Sequence, residues 1–238
     1  MANEWFEIAD LDHFWIRRRF DALQRFAGSL IWHAGEMAEI GCGHGLLQRQ
    51  IEDVYGRELT GFDLNEYALK RNVSRRSKLC CYDISAMNSA FHEKFDIIFL
   101  FDVLEHIADE GGFLNALRFH LAPGGKLILN VPASQWMYSA YDRAVGHVRR
   151  YSSGTLQVTA GRSRFKITNW SYWGFPLVPM LLLRKFWLRG WKDQSKVVSV
   201  GIDSRTPSLN KALGILSKCE MIPQKLMGTS LLAVLQAE

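Results

Sequence analysis

The feature that most constrains this chain is the run Asp96-Ile97-Ile98-Phe99-Leu100-Phe101, which is apolar after its first residue and does not alternate. A strand wet on one face alternates polar and apolar residues. An unbroken apolar strand is buried on both faces and needs helices above and below it. Shorter apolar runs at Met37–Ile40, Leu59–Phe62, Leu79–Tyr82 and Lys126–Val131 flank it in sequence, separated by helix-like stretches. The clearest of these places Phe113, Leu114, Leu117 and Leu121 on one helical face, with Pro123-Gly124-Gly125 as its stop signal. Strand–helix alternation of this kind predicts an α/β, doubly wound, mostly parallel sheet. Residues 163–173 and Ser230–Leu235 read as further strands. Residues 132–155 read as a polar, aromatic excursion, and 174–205 as an irregular basic-aromatic stretch.

No repeat or low-complexity linker divides the 238 residues, so a single domain over 1–238 is expected. Its N-terminal part, 1–34, contains a helical stripe through Phe20, Leu23, Phe26, Ala27, Leu30 and Ile31. The four cysteines (Cys42, Cys80, Cys81, Cys219) make no CxxC pair and no histidines have zinc spacing, which argues against a disulfide scaffold or structural zinc. The opening MANEWFEIAD has no basic segment followed by an apolar run, so no signal peptide is expected. The longest apolar stretch, Trp173 to Leu183, is eleven residues and contains two prolines, against the roughly twenty that span a bilayer. A net charge of +5 permits an anionic partner without demanding nucleic acid.

Glu39-Ile40-Gly41-Cys42-Gly43-His44-Gly45 follows the first strand and opens a helix. Three alternate glycines allow a sharp turn and let a ligand lie against main-chain N–H groups. Asp63 ends the second strand, where a carboxylate can accept ribose hydroxyls, and Asp83 ends the third. A nicotinamide dinucleotide site is the rival, but its fingerprint puts the third glycine five positions after the first; here the interval is four.

These stretches, with FDIIFLFDVLEHI (95–107) and LAPGGKLILNVP (121–132), resemble the class I S-adenosylmethionine-dependent methyltransferases over about residues 35–135. The resemblance implies a seven-stranded Rossmann-like sheet with an antiparallel last strand and insertions after strands 5 and 6, in which 136–238 supplies the substrate side. It implies S-adenosyl-L-methionine as cofactor and S-adenosyl-L-homocysteine as product. Glu39 would order the loop, Gly41 and Gly43 approach the methionine part, Asp63 and Leu64 meet the ribose, Asp83 and Ile84 the adenine, and Phe101 and Asp102 line the pocket. The Asp102-Val103-Leu104-Glu105-His106 segment lacks the Asn/Asp-Pro-Pro-aromatic element of DNA amino methylases, so DNA is not expected as a partner. It looks like the branch acting on small molecules and lipid quinones. His13-Phe14-Trp15-x-x-x-Arg19 and Tyr141-Asp142-x-x-x-Gly146-His147-x-Arg149-Arg150-Tyr151 resemble a bacterial subgroup found among cell-surface glycan and lipid genes.

The expected acceptor is therefore a small molecule, glycan or lipid-linked group, and where it is anionic Arg149 or Arg150, with Asp142 nearby, would grip its carboxylate or phosphate. His147 is the first candidate for a general base and His106 the second, with Tyr151 as an orienting group. His106 can equally orient the next helix, and the alternative for the 147–151 segment, less favoured because a Gly-His pair and tyrosines are costly in a spacer, is a solvated basic loop. Trp15 and Arg19 are read either as a cofactor lid or as part of a packed helix. No metal is implied by the spacing of acids. Phe175–Trp191 combines apolar bulk with Arg184, Lys185 and Arg189 and suits an anionic membrane surface. The expected location is cytoplasmic, with peripheral contact at the inner membrane face left open by that segment. Two alternatives stand beside this reading: an RNA- or protein-directed methyltransferase, kept open by basic clusters at 17–19, 75–78, 143–150 and 184–192, and a non-catalytic cofactor-binding scaffold at a membrane.

Overall fold

The computed structural model describes residues 10–191, 193, 196–198 and 206–238. The opening segment 1–9 and parts of the 174–205 stretch and of the 184–192 basic cluster lie outside the described residues. A seven-stranded sheet runs in the order β3-β2-β1-β4-β5-β7-β6. Its strands are β1 (Met37–Ile40), β2 (Thr60–Asp63), β3 (Lys78–Cys81), β4 (Phe95–Phe101), β5 (Leu121–Pro132), β6 (Phe165–Trp173) and β7 (Ser230–Ala237). The first five are parallel, and β7 pairs antiparallel with both β5 and β6. This is the expected fold, with the insertions after β5 and β6.

β4 lies at the centre of the sheet, and its side chains divide between two cores. Phe95, Ile98 and Leu100 join Leu114 and Leu117 of α4 (Glu110–His120) and Leu156 and Ala160 of α6 (Ser153–Arg162). Ile97, Phe99 and Phe101 face the other way, onto Phe20, Leu23, Ala27 and Ile31 of α1 (Phe14–His33) and Leu47 and Ile51 of α2 (Leu46–Tyr55). Burial on both faces is why the sequence carries no alternation there.

Three local features differ from the sequence reading. α4 ends at His120, and Leu121 already belongs to β5, where it pairs with Phe95; the Pro-Gly-Gly lies within the strand, not at the helix end. The 132–155 excursion contains a helical turn, α5 (Ala140–Ala144), and leads directly into α6. The 174–205 stretch, expected to be irregular, contains a regular helix that begins at one of its prolines. Pro179 occupies the first turn of α7 (Val178–Trp187), where the missing N–H has no partner to lose. Together with α3 (Glu66–Lys70) and α8 (Pro207–Ser217), these complete the helices used below.

The second insertion folds back onto α1 and roofs the C-terminal ends of the strands. Arg18 Nη2 lies 3.0 Å from Glu220 Oε1, with both side chains buried, and Glu220 also accepts from Gly174 N and Phe175 N. Asn210 accepts from Phe14 N at 2.8 Å and donates to the carbonyl of Asp12. The rings of Trp15 and Trp173 meet at 4.5 Å, and the Trp173 indole N–H donates to Asn130 Oδ1 at 2.8 Å in the sheet. Trp173→Phe keeps a ring against Trp15 but leaves the buried Asn130 oxygen without its donor. It is expected to lower unfolding stability by about 1–3 kcal/mol in urea titration; an unchanged midpoint would show that this bond contributes nothing.

Candidate active site

The turn after β1 is built as its glycines require. Gly41, Gly43 and Gly45 have φ of +74°, +50° and +71°. A Cβ on Gly41 would stand 2.5 Å from Val103 Cγ2, so a side chain there is excluded by space as well as by backbone angle. Asp63 fixes the loop: its Oδ2 accepts from Gly43 N at 2.7 Å and its Oδ1 from Asn65 N at 2.8 Å. Glu39 is buried beneath, with no hydrogen-bond partner for Oε2. Burial pushes its carboxyl up to about 8, Arg19 opposing and Asp63 adding to the rise. Cys42 is buried beside these acids, and burial together with Glu39 and Asp63 pushes its thiol far up, so it packs as a small apolar group.

A cavity of about 660 Å³ opens over the ends of β1, β4 and β5. Its polar lining includes Glu39, Arg19, Asp102, Glu105, His106, His147, Arg150 and Arg184, and most of its remaining lining is apolar, from Phe14 and Trp15 of α1, Leu177, Met180, Leu181, Leu183 and Trp187 around α7, and Leu209 and Leu213 of α8.

Asp102 holds the floor of this cavity in a left-handed conformation (φ +56°), rare for a residue with a side chain. It is held there by Asn130, which donates to Oδ1 at 2.6 Å and accepts from Asp102 N at 2.9 Å, and by Arg19, whose Nη1 lies 2.5 Å from Oδ2. The following turn, Leu104–His106, brings Glu105 and His106 to the cavity wall. His147 meets them from the β5–β6 insertion, its ring 4.8 Å from that of His106 and its Nε2 3.7 Å from Glu105 Oε1.

A family profile described as a methyltransferase domain matches residues 11–179. The chain belongs to the class I S-adenosylmethionine-dependent methyltransferases. It is similar to the ubiquinone biosynthesis O-methyltransferases of Idiomarina loihiensis, at 29% identity over 111 residues (43% of this chain, 45% of that one), and of Nitrobacter winogradskyi, at 33% over 124 residues (50% and 46%). The chain thus spans about half the length of the curated relatives it matches. A solved S-adenosylmethionine-dependent methyltransferase from Archaeoglobus fulgidus shares the fold with a TM-score of 0.58 at 17% identity, covering 93% of this chain and 94% of that one.

The methyltransferase site fits the family's cofactor in its donor set. Glu39 Oε2, buried and without a hydrogen-bond partner, suits a cationic amino group, whose charge would favour the ionised carboxylate, and the open glycine turn suits a ligand lying against backbone. Asp63, Leu64, Asp83 and Ile84 do not line the cavity. Asp63 ends β2 beside the loop, Leu64 is exposed, Asp83 accepts from Ser85 N at 2.9 Å, and Ile84 is buried in the core. They occupy the adjoining strand ends, β2 and β3, along the same sheet edge.

Among the expected substrate-side residues, the structure separates two groups. His147, His106 and Arg150 line the cavity, as do Trp15 and Arg19. Tyr151 and Arg149 do not. Tyr151 is buried, its hydroxyl donating to Glu110 Oε1 at 2.5 Å with the Leu104 carbonyl 3.3 Å away, so it is no orienting group for an acceptor. Arg149 pairs with Glu110 and donates to the Ala108 carbonyl, which turns it away from an anionic acceptor. Asp142 is fully buried and supports rather than touches: it accepts from Ser139 N and Oγ, from Arg150 Nε at 2.7 Å and from His147 Nδ1 at 3.0 Å. Arg150 is therefore also occupied, by Asp142 and the Ala133 carbonyl.

Sequence reasoning missed Glu105, Asn130 and the Arg184–Tyr141 pair, whose guanidinium lies 4.0 Å from the ring centre at the cavity wall. Glu105 stood inside a recognised motif, next to His106, and an acid in a turn at a strand end was a usable signal. Nothing in the sequence distinguished Asn130 from an ordinary strand residue. Asp142→Ala leaves the buried Arg150 guanidinium without its carboxylate and is expected to cost about 3–5 kcal/mol in urea unfolding. A loss below about 1 kcal/mol, the range of an exposed pair, would contradict this account of the loop.

Proposed function

We propose that this methyltransferase transfers the methyl group of S-adenosylmethionine to a hydroxyl of a small, largely apolar, quinone-like acceptor. The observation that carries the reading is the His147–Asp142 pair at the wall of a mostly apolar cavity that also contains the glycine loop. Bound at that loop, S-adenosylmethionine would supply a methyl group on a sulfonium, an already good leaving group. What the chain must add is position and a place for the acceptor's proton. Holding the two partners in line is worth ~7–11 kcal/mol. Asp142 accepts the hydrogen of His147 Nδ1, which leaves Nε2 with a lone pair for the acceptor hydroxyl. Burial pushes the Asp142 carboxyl up, but hydrogen bonds from His147 and Arg150 outweigh this and hold it well below the usual range. It therefore stays ionised behind the imidazole. His106 stays neutral at pH 7, its pKa lowered to about 4 by burial and by His147, and so adds no second cation against the sulfonium.

The apolar wall argues for an acceptor with a hydrophobic body rather than for RNA, which would need cationic and stacking contacts along a strand. The named activity of the relatives, O-methylation in ubiquinone biosynthesis, supports oxygen and a lipid-quinone class. At the cavity mouth, Leu183 and Trp187 are 71% and 60% exposed, with Phe186 beside them and Lys185 and Arg189 nearby. We extend the reading to an acceptor taken from an anionic lipid surface touched by 175–191. No helix of the described residues is long and apolar enough to cross a membrane.

Calorimetric titration should show S-adenosylmethionine and S-adenosylhomocysteine binding the wild type, with binding lost in Asp63→Ala. In labelled-methyl transfer to a catechol, His147→Ala should lower kcat by ~10²–10⁴-fold while leaving cofactor affinity intact. Absence of cofactor binding by the wild type, or full turnover by His147→Ala, would overturn the respective part.

A further inference from the structure

A second, smaller cavity of about 210 Å³ lies between α7 and the β5–β6 insertion. Tyr138, Ser139 and Arg143 line it from the insertion, and Lys185, Phe186 and Arg189 from α7 and its end. Lys185 and Phe186 are not among the α7 residues that line the larger cavity, so the two spaces use different sides of the helix. The described lining of the smaller one holds three cations and no carboxylate.

Among the described residues, neither Arg143 nor Arg189 makes an ion pair or a side-chain hydrogen bond. Lys185 donates one of its three N–H bonds to the Trp136 carbonyl and keeps two. Asp142 follows Tyr141 and precedes Arg143 in the chain, but its oxygens are taken up by Ser139, His147 and Arg150. Cations around one concavity repel each other, and their fields add inside it, so this arrangement gains most from an anion.

The uncharged groups narrow the ligand. Tyr138 gives its hydroxyl hydrogen to the His147 carbonyl at 2.7 Å, and Ser139 gives its own to Asp142 Oδ2 at 2.9 Å. Neither has a hydrogen left for the cavity, so recognition falls to the three cations. Their donors match a ligand with several equivalent acceptor oxygens. A phosphate monoester presents three and carries about −1.5 to −2 at pH 7, where a carboxylate presents two oxygens and a single charge.

We propose that Arg143, Lys185 and Arg189 form a binding site for one phosphate-type oxyanion, borne by a soluble phosphate or by a lipid headgroup. Phe186, exposed beside the site, gives the second source an apolar neighbour. Occupancy has a mechanical consequence. Tyr138 and Ser139 hold His147 and Asp142, and Lys185 ties α7 to the turn at Trp136. An anion shared by Arg143 and Arg189 adds a second tie and clamps the apolar wall of the larger cavity to the histidine loop. The effect of that clamp on an acceptor rests on the methyl-transfer reading; binding of the anion does not.

The test uses the full-length protein and two probes. Inorganic phosphate is titrated calorimetrically at constant ionic strength, and phosphatidylcholine vesicles with and without phosphatidic acid are co-sedimented. The wild type should bind the phosphate or favour the phosphatidic acid vesicles, and Arg143→Gln/Arg189→Gln should weaken that binding about tenfold or more. Arg162→Gln/Lys166→Gln removes two exposed cations outside the cavity and should leave it unchanged. Binding of free phosphate supports the site with a soluble ligand, and selective vesicle binding alone supports it with a headgroup. No binding of either probe by the wild type, undiminished binding by the first variant, or equal loss in both variants would overturn it. Amide exchange over 138–147 should slow with the bound probe in the wild type; unchanged exchange would overturn the clamp. S-adenosylmethionine titration of the same wild-type sample reads the methyl-transfer assignment separately.

Discussion

The buried carboxylate of Asp142 is the constraint on which the substrate side of this molecule depends. Four donors from one short insertion converge on it, two from Ser139 and one each from His147 and Arg150. Without it, the chain between β5 and α6 would have an uncompensated guanidinium and a histidine without its carboxylate, and would be held over the strand ends by the contacts of Val148, Arg149 and Tyr151 with Glu105 and Glu110. Removing an ionised carboxylate from water costs several kcal/mol, offset only when its lone pairs are filled and a cation is adjacent. Both conditions hold here. The result is a loop whose conformation is dictated by electrostatics, and which aims His147 at the cavity as a consequence.

A second polar cluster does the same for the roof. Asp102 is held left-handed by Asn130 and Arg19, and Asn130 is held in turn by Trp173, which packs on Trp15. Trp15 and Arg19 stand one turn apart on α1, so the helix is tied to the sheet by both a ring contact and an ion pair. Both side chains line the cavity and at the same time fix the helix that carries them. Strain at Asp102 is maintained by its neighbours, as expected where a backbone turn serves a site rather than the fold.

What the sequence revealed, and what it did not, follows from the range of the interactions involved. The central strand, the glycine turn and the acid after β2 are determined by residues within a few positions of one another. Their patterns could be read directly, and β4 and Asp63 lie where they were expected. The fates of Arg149, Arg150 and Tyr151 are set by partners elsewhere in the chain, Glu110 on α4 and Asp142 on the loop. Adjacent in sequence, they point to different surroundings, and only Arg150 reaches the cavity. The Glu105–His106–His147 cluster joins residues about forty positions apart, a separation no local pattern records.

The central claim is that the glycine loop and the His147 wall belong to one reaction chamber. A crystal structure with S-adenosylhomocysteine bound tests it most directly. The account predicts the thioether sulfur inside the cavity, about 6–8 Å from His147 Nε2, room for one methyl group and one acceptor oxygen between them. A sulfur directed away from His147, with the space beside Glu105 and His106 out of its reach, would contradict it.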